Sequence, residues 1–197
     1  MSRGNESRLN LRMTVYCALF TALIIIGGYI SVPIPVGPVP IVLADLFVMA
    51  AGLFLGPKFG MASAALYLGL GAVGLPVFAG GTSGLAVLFG PTGGFLFGYI
   101  LAAGAAGLVA GRMKPGIPAW LAAMIAANIA LYAVGVPWLK FLLNMSWPAA
   151  LAVGLTPFVA GVAIKIAAAV ALCRALLPRF RQAMAPAALA QADSEGN

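Results

Sequence analysis

Apolar residues run along this chain in long stretches, separated by short segments rich in proline, glycine or basic residues. Several stretches approach the roughly 20 residues that a helix needs to cross about 30 Å of hydrocarbon. The pattern predicts six membrane-spanning helices, at about Met13–Ile30, Ile41–Leu55, Phe59–Gly71, Thr92–Ala110, Ala119–Val136 and Pro157–Leu177. We therefore expect an all-α integral membrane bundle of six transmembrane helices, with a folded domain at residues 13–177.

Three of the connections between these helices have a distinct composition. Ser31–Pro40 contains four prolines, which exclude a regular helix and favour a stiff, extended loop. Leu75–Gly98 is rich in glycine and carries no charge; Gly80, Gly81 and Gly84 permit positive φ, while Thr82 and Ser83 add hydroxyls. Such a loop can line a ligand pocket or be a flexible surface turn. Pro137–Pro148 holds two of the three tryptophans and resembles an interfacial segment.

The composition supports a membrane protein and changes the meaning of the charge. Of the 197 residues 63% are hydrophobic and 8% are charged, and the mean hydropathy is +1.08. The net charge of +7 comes from basic residues at the ends of apolar segments, so we expect a lipid bilayer and no nucleic acid as the partner. Cys17 and Cys173 are isolated, which indicates packing residues and no disulfide framework.

The basic residues also predict the topology. If both termini are cytoplasmic, the inner face receives all the basic residues of the connections and ends except Lys140, as the positive-inside rule requires. Residues 1–12 then form a basic cytoplasmic N-terminus, and residues 178–197 a disordered cytoplasmic tail. The three distinctive loops fall on the outer face of the cell (inner) membrane, where we expect them to roof an outward-facing cavity.

Two charged residues lie inside predicted helices and away from their cytoplasmic ends. Lys165 is about 12 Å from the start of the sixth helix, a depth at which an ammonium group usually faces a cavity or an anion. Its alternative is a lysine that snorkels to the interface. Asp45, near the outer end of the second helix, could pair with Lys165, accept hydrogen bonds from a ligand, or stabilise the helix dipole.

The chain offers little for catalysis. It has no histidine, paired carboxylates or metal-ligand cluster, and Gly90–Gly94 lacks the Lys-Ser/Thr pair of a phosphate-binding loop. We expect no enzyme activity, no cofactor and no ATP hydrolysis by this chain. Small residues recur at four-residue spacing; Ala18 and Ala22, on the first helix, could meet a partner protein, although such ridges also serve internal packing.

Four segments of the chain carry a resemblance to known proteins: VPIVLADLFVMAAGLFLGPKFG (39–60), GLPVFAGG (74–81), GPTGGFLFGY (90–99) and TPFVAGVAIK (156–165). Together they resemble the BioY family, the biotin-binding S components of energy-coupling-factor (ECF) transporters. The resemblance covers nearly the whole folded part. It implies a six-helix protein that captures biotin from outside and presents it to a transmembrane coupling protein and two ATPase subunits. It also implies that Ala18 and Ala22 form the docking face for the coupling protein and that Lys165 belongs to the vitamin pocket.

The sequence departs from the family pattern at Val162, where an aspartate is usual, and at Ala44, where glutamine is usual. Asp45 could compensate from the second helix. The chemistry of biotin suggests Lys165 for its carboxylate, Phe78, Val36 and Trp138 as apolar walls, and Gly81, Thr82 and Ser83 for its ureido group. Two alternatives remain: an S component for another small carboxylate vitamin or precursor, and a non-transporting membrane assembly or channel subunit.

Overall fold

The computed structural model describes residues 3–33 and 37–184 of the chain. Within them lie α1 (Arg3–Tyr29), α2 (Ala44–Ala72), α3 (Leu85–Leu88), α4 (Gly93–Arg112), α5 (Ile117–Leu142), α6 (Trp147–Gly154) and α7 (Val159–Met184). Two 3-10 turns occupy Ala79–Gly81 and Thr156–Phe158. The strands β1 (Ser31–Val32) and β2 (Ile41–Val42) pair antiparallel across the proline-rich loop, with Ser31 opposite Val42. The prediction of an all-α membrane protein is confirmed.

Five of the described helices are long and apolar enough to cross a membrane: α1, α2, α4, α5 and α7. The second of them, α2, is not straight, because Gly56 adopts φ 77° and ψ 178° immediately before Pro57. A Cβ placed on Gly60 would lie 2.7 Å from the Cα of Gly52. In a straight helix residues eight apart are about 12 Å apart, so the chain folds back at Gly56 and the two halves lie side by side. These halves, residues 44–55 and 57–72, correspond to the predicted second and third helices.

Small residues bring the central helices α2, α4 and α5 together. A Cβ on Gly98 of α4 would lie 3.0 Å from the carbonyl oxygen of Leu131 on α5, and Ala102 of α4 is completely buried. On the side of α1, the Thr21 hydroxyl donates to the Ser63 carbonyl (3.1 Å), which places α1 along the second half of α2. Such contacts replace hydrophobic exclusion as the source of helix association in lipid.

Several helices extend beyond their predicted ends. The helix α1 begins at Arg3, so it includes most of the segment expected to precede the first span. The helix α5 passes through Pro137 to Leu142, and α7 passes through Pro178 to Met184. Proline was expected to end these helices; in a membrane bundle it is tolerated because the surroundings can satisfy the freed backbone groups. The rest of the predicted C-terminal tail, from residue 185, lies outside the described residues.

The predicted tryptophan-containing loop is also different in the structure. Its first part, including Trp138, is the end of α5, and its last residues begin the short helix α6, which was not predicted. Ser146 is the N-cap of α6, and its hydroxyl oxygen accepts a hydrogen bond from the Ala149 N–H. Trp138 is therefore fixed on a helix and does not lie on an outer loop.

Candidate ligand-binding site

A cavity of about 500 Å³ lies where α1, α2 and α4 meet the proline-rich and glycine-rich connections. Its volume is within the range of about 300 to 1,000 Å³ that is usual for small-molecule sites. The lining is mostly apolar and comes from four regions of the sequence: Gly28; Pro38, Val39, Pro40, Val42 and Ala44; Tyr67, Phe78, Ala79 and Thr82; and Ala86, Val87, Gly90, Pro91, Thr92, Phe95, Leu96 and Tyr99. The structure thus brings two of the three distinctive loops together around one cavity.

The glycine-rich connection forms a compact turn against this cavity. Gly80, Gly81 and Gly84 have φ values of 66°, 76° and 91°, which confirms the prediction that these positions need glycine. The Phe78 N–H donates to the Thr82 carbonyl (2.9 Å), and the Thr82 hydroxyl donates to the Ala79 carbonyl (3.0 Å). The turn presents Phe78 and Thr82 to the cavity.

Two tyrosines supply polar groups inside the apolar lining. Tyr67 and Tyr99 are 1% and 5% exposed, and both line the cavity. Among the described residues, neither hydroxyl makes a hydrogen bond within the protein. Every side-chain oxygen there that is fully shielded from solvent has a hydrogen-bond partner, so these two oxygens are not fully shielded. Both hydroxyls therefore remain accessible and can donate to, or accept from, a bound molecule.

Lys165 and Asp45 form an ion pair beside the cavity. The Lys165 Nζ is 2.8 Å from Asp45 Oδ2 and also donates to the Val42 carbonyl oxygen at 2.7 Å. The side chains are only 13% and 9% exposed, so Lys165 does not snorkel to an interface. Asp45 Oδ1 accepts from the Leu46 N–H (2.9 Å) in the first turn of α2. Of the alternatives for Asp45, the structure shows pairing with Lys165.

A smaller cavity of about 40 Å³ contains this ion pair and adjoins the main cavity. Leu131, Tyr132 and Phe158 line it together with Asp45 and Lys165. It shares five lining residues with the main cavity, namely Val39, Pro40, Val42, Phe95 and Tyr99. Because a water molecule occupies about 30 Å³ in the liquid, this smaller cavity has room for one small polar group. The ion pair can therefore meet the end of a ligand that fills the main cavity.

The structure separates some of the predicted site residues from the cavity. Trp138 lies in a groove on α5, and its Nε1 donates to the Gly90 carbonyl (3.0 Å). It therefore holds the turn at residues 90–92 without lining the main cavity itself. Gly81 and Ser83 belong to the glycine-rich turn but are not among the cavity-lining residues. Val36 lies outside the described residues.

Ala18 and Ala22, the predicted docking residues, are exposed on α1. Val15, Leu19 and Ile26 on the same helix are also more than half exposed, which gives α1 a continuous apolar stripe. The stripe faces away from α2 and its small side chains allow close approach of another helix.

Of the two departures from the family pattern, Ala44 lines the main cavity directly and Val162 lies one helical turn before Lys165 on α7. The sequence did not indicate Tyr67, Tyr99 or Tyr132 as site residues, because a tyrosine in an apolar span is indistinguishable from a packing residue. For Tyr99, its place at the end of the GPTGGFLFGY segment was the only signal.

These features define a class of protein: a multi-pass helical membrane protein with a ligand-sized apolar cavity and a buried ion pair at the edge of that cavity. Comparison with known proteins makes this more specific. The model of the BioY family matches residues 3–182, so the chain belongs to the BioY family.

Relatives and a solved structure agree with this assignment. The "Biotin transporter BioY" of Thermotoga maritima is 44% identical over 76% of this chain and 86% of its own length. The protein of the same name from Rhizobium etli is 37% identical over 86% of this chain and 95% of its own length. A crystal structure described as the S-component for biotin from an ECF-type ABC transporter superposes with a TM-score of 0.78 at 30% identity, covering 89% of this chain and 94% of the other.

Proposed function

We propose that this protein is the S component of a biotin uptake transporter: it binds biotin from the outer face and delivers it across the membrane with an ATP-driven energising module. The observation that carries the proposal is the apolar cavity of about 500 Å³ with the Lys165–Asp45 pair in an adjoining space. Biotin has a matching shape, with an apolar ring and chain between a ureido group and a carboxylate. The names of the relatives support biotin as the ligand. They are transporters, and we propose no enzyme activity for this chain.

The ion pair favours contact with one end of biotin over the other. From the sequence, we expect Lys165 to bind the carboxylate, while pairing between Asp45 and the Lys165 ammonium group is left as one alternative. Asp45 already neutralises it, so a ligand carboxylate would bring two anions to one buried cation, an arrangement that is expensive in a low-dielectric site. A ureido group is neutral and matches the pair: its carbonyl accepts from Lys165 while an N–H donates to Asp45.

In this arrangement the carboxylate of biotin points towards the mouth of the main cavity. Thr82 and Thr92 line that cavity, and so do Tyr67 and Tyr99, beside which the ring would lie. Ala44 widens the cavity where the family usually has glutamine, and Asp45 supplies the carboxylate that the family usually has at the position of Val162.

The first experiment is saturation binding of labelled biotin to the purified protein in nanodiscs, with unlabelled vitamins as competitors. We expect displacement by biotin and by no other carboxylate vitamin. Displacement by a different vitamin at lower concentration would mean that the protein is an S component for that vitamin and not for biotin. Absence of any saturable ligand would favour the membrane assembly or channel subunit.

Two analogues of biotin test which end of the molecule lies at the ion pair. If the ureido group meets the ion pair, biotin methyl ester should compete within about tenfold of biotin, because the ester keeps the ureido group and loses only a solvated charge. Biotin methylated on a ureido nitrogen should bind more than about a hundredfold more weakly than biotin, because one N–H donor is removed and a buried methyl group faces Asp45. If the ester competes much more weakly than the methylated ureido analogue, the carboxylate of biotin is the group that meets Lys165.

We further propose that the chain crosses the cell (inner) membrane six times, with the two halves of α2 as separate spans. Both termini then lie on the cytoplasmic side. The exposed stripe with Ala18 and Ala22 is then the docking face for the transmembrane coupling protein, which links this chain to two ATPase subunits. Replacing Ala22 by leucine should reduce co-purification with the module and leave biotin binding by the isolated chain unchanged.

A further inference from the structure

The C-terminal turn of α1 contacts the start of α2 and the glycine-rich connection, and both of these line the main cavity. The Gly27 carbonyl accepts a hydrogen bond from the Leu43 N–H (3.1 Å), and a Cβ on Gly27 would lie 2.8 Å from the Ala44 nitrogen. A Cβ on Gly28 would lie 3.2 Å from the carbonyl oxygen of Val77. The two glycines thus let the end of this helix approach the start of α2 and the glycine-rich connection at once.

Tyr29 follows these glycines and binds the glycine-rich connection with its side chain. Its hydroxyl donates to the Pro76 carbonyl oxygen, and its ring is in contact range of Gly81, where an added Cβ would be 3.4 Å away. Pro76 and Gly81 bracket the segment that contains Phe78. Among the described residues, no other helix side chain donates a hydrogen bond to residues 73–84.

The connection needs an anchor of this kind. Three of its glycines, at positions 80, 81 and 84, have positive φ, as does Gly74 directly before it, and glycine positions carry the largest conformational freedom to be lost on ordering. Tyr29 itself is 53% exposed, so its hydroxyl is not required to fill the protein interior. The bond to Pro76 therefore acts on the loop and adds little to the packing of α1.

We infer that Tyr29 is a positioning residue for ligand capture: by holding Pro76 and Gly81 it keeps Phe78 and Thr82 against the ligand cavity. The inference rests on the proposed function for its binding readout. Loss of the hydroxyl lets the turn leave the cavity more often, so that a bound ligand escapes faster while the cavity itself keeps its chemistry.

The test is Tyr29→Phe, which removes one oxygen from a half-exposed side chain and keeps the ring on Gly81. We expect biotin to dissociate about threefold to tenfold faster, the range for one lost hydrogen bond, with little change in the association rate. Amide hydrogen exchange of residues 77–84 should be faster in the ligand-free variant. Tyr16→Phe is the matched control, because Tyr16 lies on the same helix and packs edge-to-face against Phe180, with ring centroids 4.7 Å apart, far from the loop.

An unchanged dissociation rate together with unchanged exchange of residues 77–84 in Tyr29→Phe would overturn the inference. So would an equal effect of Tyr16→Phe, since it would indicate a general loosening of α1. If the parent protein binds no biotin, the proposed function fails, but the exchange comparison on the ligand-free proteins still decides whether Tyr29 holds the loop.

Discussion

Lys165 and Asp45 are the residues on which the account of ligand binding depends. They come from helices separated by most of the sequence, α7 and α2, and their contact at 2.8 Å is almost closed to solvent. Removing one partner of such a pair leaves a buried, uncompensated charge, whereas replacing both with apolar residues of similar size is often neutral or stabilising. This asymmetry separates the contribution of the pair to folding from its contribution to binding.

We predict that Lys165→Ala lowers the free energy of unfolding by about 3 to 5 kcal/mol, because Asp45 is left unpaired. The double variant Asp45→Leu with Lys165→Met should recover most of that loss. Thermal unfolding in nanodiscs measures both. Lys140→Ala is the control, since the Lys140 Nζ lies over the rings of Phe141 and Trp147, forms no ion pair among the described residues, and should change stability little when removed. A double variant as unstable as the single one would show that the pair itself stabilises the bundle.

At the scale of the residue, the sequence identified both charges correctly as unusual but could not choose a partner for Asp45. The choice depends on how α7 lies against the first turn of α2, which is set by packing across the whole bundle. The glycines at 80, 81 and 84 could be predicted because positive φ is a local property. Trp138 could not be placed, because its position depends on where α5 ends.

Glycines on the faces of α4 decide how closely the elements of the core can pack. Gly98 meets the backbone of Leu131 on α5, whereas Gly111 near the end of the same helix has no atom within 4 Å of an added Cβ. The two positions share a residue type and a helix and differ only in what lies opposite. Together they separate close packing of helices from helix propensity.

We predict that Gly98→Ala destabilises the protein by about 1 to 3 kcal/mol through overpacking against Leu131. Gly111→Ala should leave the stability unchanged or raise it slightly, because alanine is the better helix former and has space there. Thermal unfolding of the two variants side by side gives the comparison. Equal effects at both positions would mean that the α4–α5 contact is looser than described here.

The apolar runs predicted where the helices are but not where they end. The sequence pattern predicts that two helices end before Pro137 and Pro178, yet both α5 and α7 continue through these prolines. The opposite case is Gly56–Pro57, where the chain does turn and residues 44–55 fold back on residues 57–72. Here a glycine able to adopt positive φ stands directly before the proline, and the chain turns where the sequence predicts the break between Leu55 and Phe59.

For the whole molecule, the count of membrane crossings follows from this reversal. If α2 is a single span, residue 58 lies within the bilayer and the termini are on opposite sides; if its halves are two spans, Lys58 is at the cytoplasmic face. In a background with Cys17→Ala and Cys173→Ala, we predict that Lys58→Cys reacts with a membrane-impermeant thiol reagent only from the cytoplasmic side. Lys114→Cys and Val73→Cys serve as inner and outer references. Protection of Lys58→Cys from both sides would contradict six crossings.

The central claim is that the cavity captures biotin through the ion pair beside it. The most direct measurement is an equilibrium titration of biotin into the purified parent and into the folded double variant Asp45→Leu with Lys165→Met, both in nanodiscs. The account predicts saturable one-site binding to the parent and no detectable binding to the double variant. Biotin binding of equal affinity to both proteins, or no binding to a folded parent, would contradict it.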